Sequence, residues 1–254
     1  MNNNQRFNYY KIYRVGAVAI LVALLFFRRN LAAELVISNG FGIWQVPAPL
    51  PENALGWFAL ISAQPLLAFI LLDGVDVINA ILVVLLFFAL FTAIKNHNFK
   101  MAAAALTATV LGVIMYILAN RAIPLCLLAR RYHAAPQLAA RADLLMRADE
   151  ILSSPLRDTV MSIGLILILS AGLVFSIVPL KEKIFKRRVA LTGIAANGLY
   201  LMNYVLILFA PNLNWLFPTL SAPFRLTWYA MLAVALLKKA KDTSTASKLE
   251  ERCT

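Results

Sequence analysis

The chain has 254 residues, 61% of them hydrophobic and only 14% charged, with a formal net charge of +12 and a mean hydropathy of +0.76. Soluble domains run at roughly 45–50% apolar and 25% charged, so this composition excludes a water-soluble globule. It predicts an all-α polytopic transmembrane bundle, one domain over residues 1–239 with a polar tail over 240–254.

A helix needs about 20 mainly apolar residues to cross a hydrocarbon core of roughly 30 Å. Six segments meet that requirement, at about 12–36, 65–94, 100–130, 158–180, 189–210 and 219–238. The first follows Arg6, Lys11 and Arg14 and could pass for a signal peptide. Arg28, Arg29 and Asn30 come next with no small-residue cleavage site, so it reads as a retained span. Between the first two spans, Trp57–Ala63 reads as a short interfacial helix, with Trp44 and Trp57 at the headgroup level. The second span begins at Pro65, where a proline's missing N–H costs nothing. Reading 55–94 as two spans that turn at Asp73 and Gly74 would give seven. That puts Lys95 and Lys100 on the face opposite Arg6, Lys11 and Arg14, against the positive-inside rule.

Pro124 in the third span and Pro223 in the last are expected to kink their helices. Between the third and fourth spans, Leu138, Leu144, Leu145, Ile151 and Leu152 recur at helical spacing opposite Arg141, Asp143, Arg147 and Glu150. This predicts an amphipathic helix at about 137–152 on the outer face, packed either on lipid or on the bundle ends. Asn197 and Asn203 in the fifth span are expected to make interhelical hydrogen bonds.

Six spans place the loops 95–100 and 181–188 with both termini, a set that holds fifteen of the 24 basic residues and all ten lysines. The nine basic residues left outside are all arginine. The positive-inside rule then puts both termini in the cytoplasm. Because the charges flank spans, the basic balance gives no case for nucleic acid; the partners expected are membrane lipids. Nothing in the sequence sets the oligomeric state.

At Arg28-Arg29-Asn30-Leu31-Ala32-Ala33-Glu34, Trp57-Phe58-Ala59-Leu60, Asp76-Val77-Ile78-Asn79, and Tyr132 with Ala134 and Ala135, the chain resembles an uncharacterised prokaryotic family of six-helix integral membrane proteins. The resemblance runs from about Val15 to Lys239. It implies a six-helix bundle in the prokaryotic cytoplasmic membrane and implies no activity. The family has a small polar residue at the position of Arg121, so no role is carried to that residue.

Ionisable residues within spans are functional candidates because each costs about 2.5–3.5 kcal/mol at a helix centre. Asp73, Asp76 and Asn79 are spaced i, i+3, i+6 and would share one face of a continuous second helix. Counted from Pro65 at 1.5 Å per residue, Asp76 would lie ~17 Å along it, near mid-depth. Arg28 and Arg29 would lie roughly 20 Å along the first helix from Val15, within reach of those acids if the first two helices are antiparallel neighbours. The candidate ligand-binding set is Arg28, Arg29, Glu34, Asp73, Asp76, Asn79 and Arg225, with Asp158 as a further wall of an outward-facing chamber. Arginine suits carboxylate or phosphate recognition, so the expected ligand is a lipid headgroup or small polar solute, in transport or sensing.

A structural ion-pair network in an accessory subunit is the main alternative, and an enzyme with Asp73 or Asp76 as acid or base a further one. No inverted repeat between the halves supports a transporter in particular. Other chemistry fails on inspection. Asp73-Gly74-Val75-Asp76 matches the start of a phosphatidyltransferase signature, but the Ala-Arg pair and the two later aspartates are missing. No lysine is mid-span for a retinal Schiff base. His97 and His133 lie outside the spans, and Cys126 and Cys253 would be on opposite faces, so no cofactor, metal or disulfide is expected.

Overall fold

Apolar segments in hydrocarbon must satisfy every backbone N–H and C=O internally, which favours helices. A computed structural model describes residues 3–27 and 49–253, and among them all regular structure is helical, with no strand. The helices are α1 (Asn3–Phe27), α2 (Ala54–Ala63), α3 (Pro65–Leu71), α4 (Gly74–Ile94), α5 (Phe99–Ala119), α6 (Ala122–Ala134), α7 (Leu138–Ser153), α8 (Pro155–Lys181), α9 (Arg187–Phe209) and α10 (Leu216–Cys253). Five described segments are long and apolar enough to cross a membrane: Gly74–Ile94, Phe99–Ala134, Pro155–Lys181, Arg187–Phe209 and Leu216–Thr245. The chain divides into two compact units, one of residues 1–27, 81–113 and 164–254, the other of residues 28–80 and 114–163.

The first unit is built on α1, α9 and α10 with parts of α4, α5 and α8. Its core sets Phe87 against Phe175 with the rings tilted and 5.0 Å apart, and Trp228 edge-on to Phe87 at 6.4 Å between ring centres. Small residues let helices approach closely where lipid supplies no hydrophobic drive. A Cβ on Gly16 of α1 would overlap Ala89 of α4, and one on Gly193 of α9 would overlap Ser176 of α8 and Trp228 of α10. Helices α1 and α4 are antiparallel: Lys95 lies over the Tyr9 ring at 5.1 Å, and Gly16 meets Ala89. Asn197 donates within its own helix, to the Gly193 carbonyl at 2.8 Å, and not to a neighbouring helix as expected.

The lysine-bearing turns of this unit come together at one end. His97 is 4.0 Å from Glu182, joining the α4–α5 turn to the α8–α9 turn, and Lys239 of α10 lies over Phe185 at 5.7 Å. Helices α4, α8 and α10 therefore run toward this end, and α1, α5 and α9 run away from it.

The second unit packs α2, α3, α6 and α7 around Phe58, Leu67, Leu125 and Ala148. Asn53 caps α2 by accepting from the Gly56 amide at 2.9 Å, and Asp149 of α7 accepts from the Ala54 amide at 2.7 Å. Both carboxylate and amide oxygens answer N–H groups that a first helical turn leaves open. The amphipathic segment is the helix α7, and it turns Leu145, Ala148, Ile151 and Leu152 onto protein, leaving Leu138 and Met146 exposed. Trp57, expected at the headgroup level, is only 8% exposed because α2 buries it in this core. Trp44 lies outside the described residues.

Two segments expected as continuous spans are each interrupted. The run 65–94 breaks between Leu71 and Gly74, where Asp73 takes φ 63°. Aspartate is among the few residues other than glycine that tolerate the left-handed region. Gly74 follows because a Cβ there would overlap the Phe69 ring. The run 100–130 ends one helix at Ala119 and starts another at Ala122. Pro124, expected as a kink, sits in the first turn of α6, where its missing N–H has no intrahelical acceptor to lose.

Candidate functional site: paired helix breaks

The two interruptions belong to the second unit and are tied to each other. Breaking a helix frees backbone groups that lipid cannot satisfy, so another protein group must do so. Asn120, 3% exposed, does this at both breaks. Its Nδ2 donates to the Asp73 carbonyl at 3.0 Å, and its Oδ1 accepts from the Ala122 amide at 2.9 Å. Arg157 Nη1 donates to the carbonyl of Leu118 at 3.2 Å, covering an acceptor in the last turn of α5.

Charged side chains collect around these breaks. Asp76 stands in the first turn of α4 and Asp158 in the first turn of α8, positions where the helix dipole favours a negative group. The Tyr116 hydroxyl donates to Asp76 Oδ2 at 3.3 Å, and Arg121 Nη2 donates to Asp158 Oδ1 at 2.7 Å. Two buried polar atoms nearby in sequence to the breaks, Asn79 Oδ1 and Arg121 Nε, have no hydrogen-bond partner among the described residues. Native proteins leave few such atoms unsatisfied, so these two stand out within the unit. An open depression of about 380 Å³ in the same unit is lined by Arg147, Glu150, Ile151, Ser154 and Arg157. Among the described residues no three His, Cys, Asp or Glu side chains group as metal ligands.

Of the residues expected to form the site, Asp73, Asp76 and Asn79 lie in this unit. The shared helical face is corrected for Asp73: it sits in the break with its side chain exposed, so only Asp76 and Asn79 keep a common face on α4. Because α4 begins at Gly74, Asp76 lies ~27 Å along that helix from Ile94. Arg225 belongs to the first unit, where its guanidinium lies 4.6 Å over the Tyr200 ring. Arg28, Arg29 and Glu34 lie outside the described residues.

Tyr116, Asn120, Arg121 and Arg157 lie outside the set of site residues that the sequence points to. The available signal was Asn120-Arg121, a polar pair inside an apolar run with Pro124 just beyond it, which reads as a break as readily as a kink. Comparison of the chain with protein-family models, curated proteins and solved structures finds no match.

Proposed function

We propose that this is a six-span protein of the prokaryotic cytoplasmic membrane with both termini in the cytoplasm. Its paired helix breaks form an outward-facing polar site that binds a small polar solute or a lipid headgroup. The observation that carries the reading is the pairing of two helix interruptions through Asn120. Irregular backbone at membrane depth persists where it is buried in protein or lines a cavity, and interrupted helices supply binding groups in many membrane proteins. The unsatisfied Asn79 Oδ1 and Arg121 Nε support a ligand there.

The orientation rests on the lysines. Four basic segments meet at one end of the first unit, and the inner leaflet side of a membrane favours them. On its own helix, Tyr116 lies ~26 Å from Phe99, as Asp76 lies ~27 Å from Ile94, a separation from the lysine-bearing turns that supports a site facing the opposite side. The direct Arg121–Asp158 and Tyr116–Asp76 contacts favour a second reading, in which the breaks only staple the fold.

Native mass spectrometry of the purified protein separates the two. A small species retained by wild type should be lost from Asp76→Asn combined with Asn79→Ala while thermal stability is kept. Equal retention, or no bound species at all in either protein, rejects the binding site. Reporter fusions after Lys100, Arg188 and Lys239 should all read as cytoplasmic, and an external signal at any of them rejects the orientation.

A further inference from the structure

The first unit carries a groove of about 550 Å³ between α1 and α4, a size within the roughly 300–1,000 Å³ of small-ligand sites. Its walls are apolar and exposed: Val15 is 50%, Val18 49% and Leu85 39% accessible, with Val22 and Leu82 continuing the same two rows. On α1 these residues follow Lys11 and Arg14 at i, i+3, i+4, i+7 and i+11, so one helical face passes from cationic to purely aliphatic. Val15 to Val22 covers ~10 Å of helix. The cationic end is oriented as well as charged, since Arg14 Nη1 donates to the Tyr10 hydroxyl at 3.2 Å.

An occupant that matches this surface is amphipathic, with one anionic end and an extended hydrocarbon part. We infer that the groove holds a phospholipid with an anionic headgroup, its phosphate against Lys11 and Arg14 and an acyl chain along Val15, Val18 and Val22, opposite Leu82 and Leu85. Anionic lipids are attracted by basic side chains at the membrane surface, and the aliphatic wall directly beyond them fixes where the chain lies. The inference takes from the proposed function only that α1 borders lipid; it is independent of the helix breaks.

The experiment reconstitutes the full chain in nanodiscs of mixed phosphatidylglycerol and phosphatidylcholine and counts lipids that stay bound through native mass spectrometry. Wild type should retain one phosphatidylglycerol with a preference of roughly 30-fold, the product of two basic side chains at the headgroup. Lys11→Gln with Arg14→Gln should abolish the preference, and Val18→Trp, which fills the groove from an exposed position, should lower retention of either lipid. Lys238→Gln with Lys241→Gln removes the same charge from α10 and should leave the preference intact. The inference is overturned by an unchanged preference in the Lys11/Arg14 variant, by full retention in Val18→Trp, or by an equal loss in the Lys238/Lys241 control, which would mean diffuse attraction. Stabilisation by inorganic phosphate alone to the same degree would also overturn it, since the acyl wall would then do nothing. Failure of the chain to insert into nanodiscs at all would sink the membrane reading itself, whereas insertion without headgroup preference sinks only this site.

Discussion

Replacing Asn120 removes a side chain that serves both helix breaks, and its cost can be worked from the groups left behind. The Ala122 amide is in a residue with 0% exposure, so water does not replace the lost acceptor. A buried donor left unsatisfied costs about 1–3 kcal/mol, and the lost bond to the Asp73 carbonyl adds about 0.5–1.5 kcal/mol. Side-chain hydrogen bonds within membranes average only about 0.6 kcal/mol because the unfolded state finds other partners. That discount applies to the Asp73 side of the pair, whose residue is exposed, more than to the enclosed Ala122 amide. The expected total is about 2–4 kcal/mol, or a fall in Tm of about 5–15 °C for a chain of this size.

Asn120→Leu is the informative variant, because it keeps the branching and number of side-chain heavy atoms, removing hydrogen bonding without opening a cavity; its larger methyl groups can only add to the loss through overpacking. Thermal unfolding in detergent, followed by size-exclusion fluorescence, measures the loss. Amide exchange should rise at both breaks together, around residues 72–76 and 120–124. An Asn120→Leu protein within about 0.5 kcal/mol of wild type, with unchanged exchange, would refute the claim that the two breaks depend on each other.

Gly193→Ala should destabilise the first unit by about 1–3 kcal/mol through overpacking against Ser176 and Trp228. Gly198→Ala on the same helix meets its nearest atom at 3.9 Å and should be neutral or gain up to about 1 kcal/mol of helix propensity; the two are compared by the same thermal assay. With Cys126 and Cys253 replaced by serine, a cysteine at Met146, 66% exposed, should react with an impermeant maleimide added from outside, and one at Ala148, 0% exposed, should be protected. A double-mutant cycle on Arg121→Gln and Asp158→Asn should give a coupling of about 0.2–1 kcal/mol that shrinks in high salt, because the Asp158 side chain is 60% exposed.

The helical class and the presence of several long apolar helices were legible in the sequence, because hydropathy and helical period are local properties. The helicity of 138–153 was legible for the same reason: Leu145, Ile151 and Leu152 recur at a spacing that only a helix turns to one side. Whether that side meets lipid or protein was not, since it depends on the α2 and α6 residues that pack on Ala148. The breaks show the limit most clearly. Leu72-Asp73-Gly74 and Asn120-Arg121-Ala122 are short polar interruptions that local rules allow as kinks, turns or solvated polar steps. Their outcome was decided by a hydrogen bond between residues 47 positions apart, from Asn120 to the Asp73 carbonyl. In the same way Ala54 is capped by Asp149, 95 positions away. Backbone groups released by a break must be answered by whatever the fold brings near, and the partner's distance along the chain leaves no periodic trace from which it could be read.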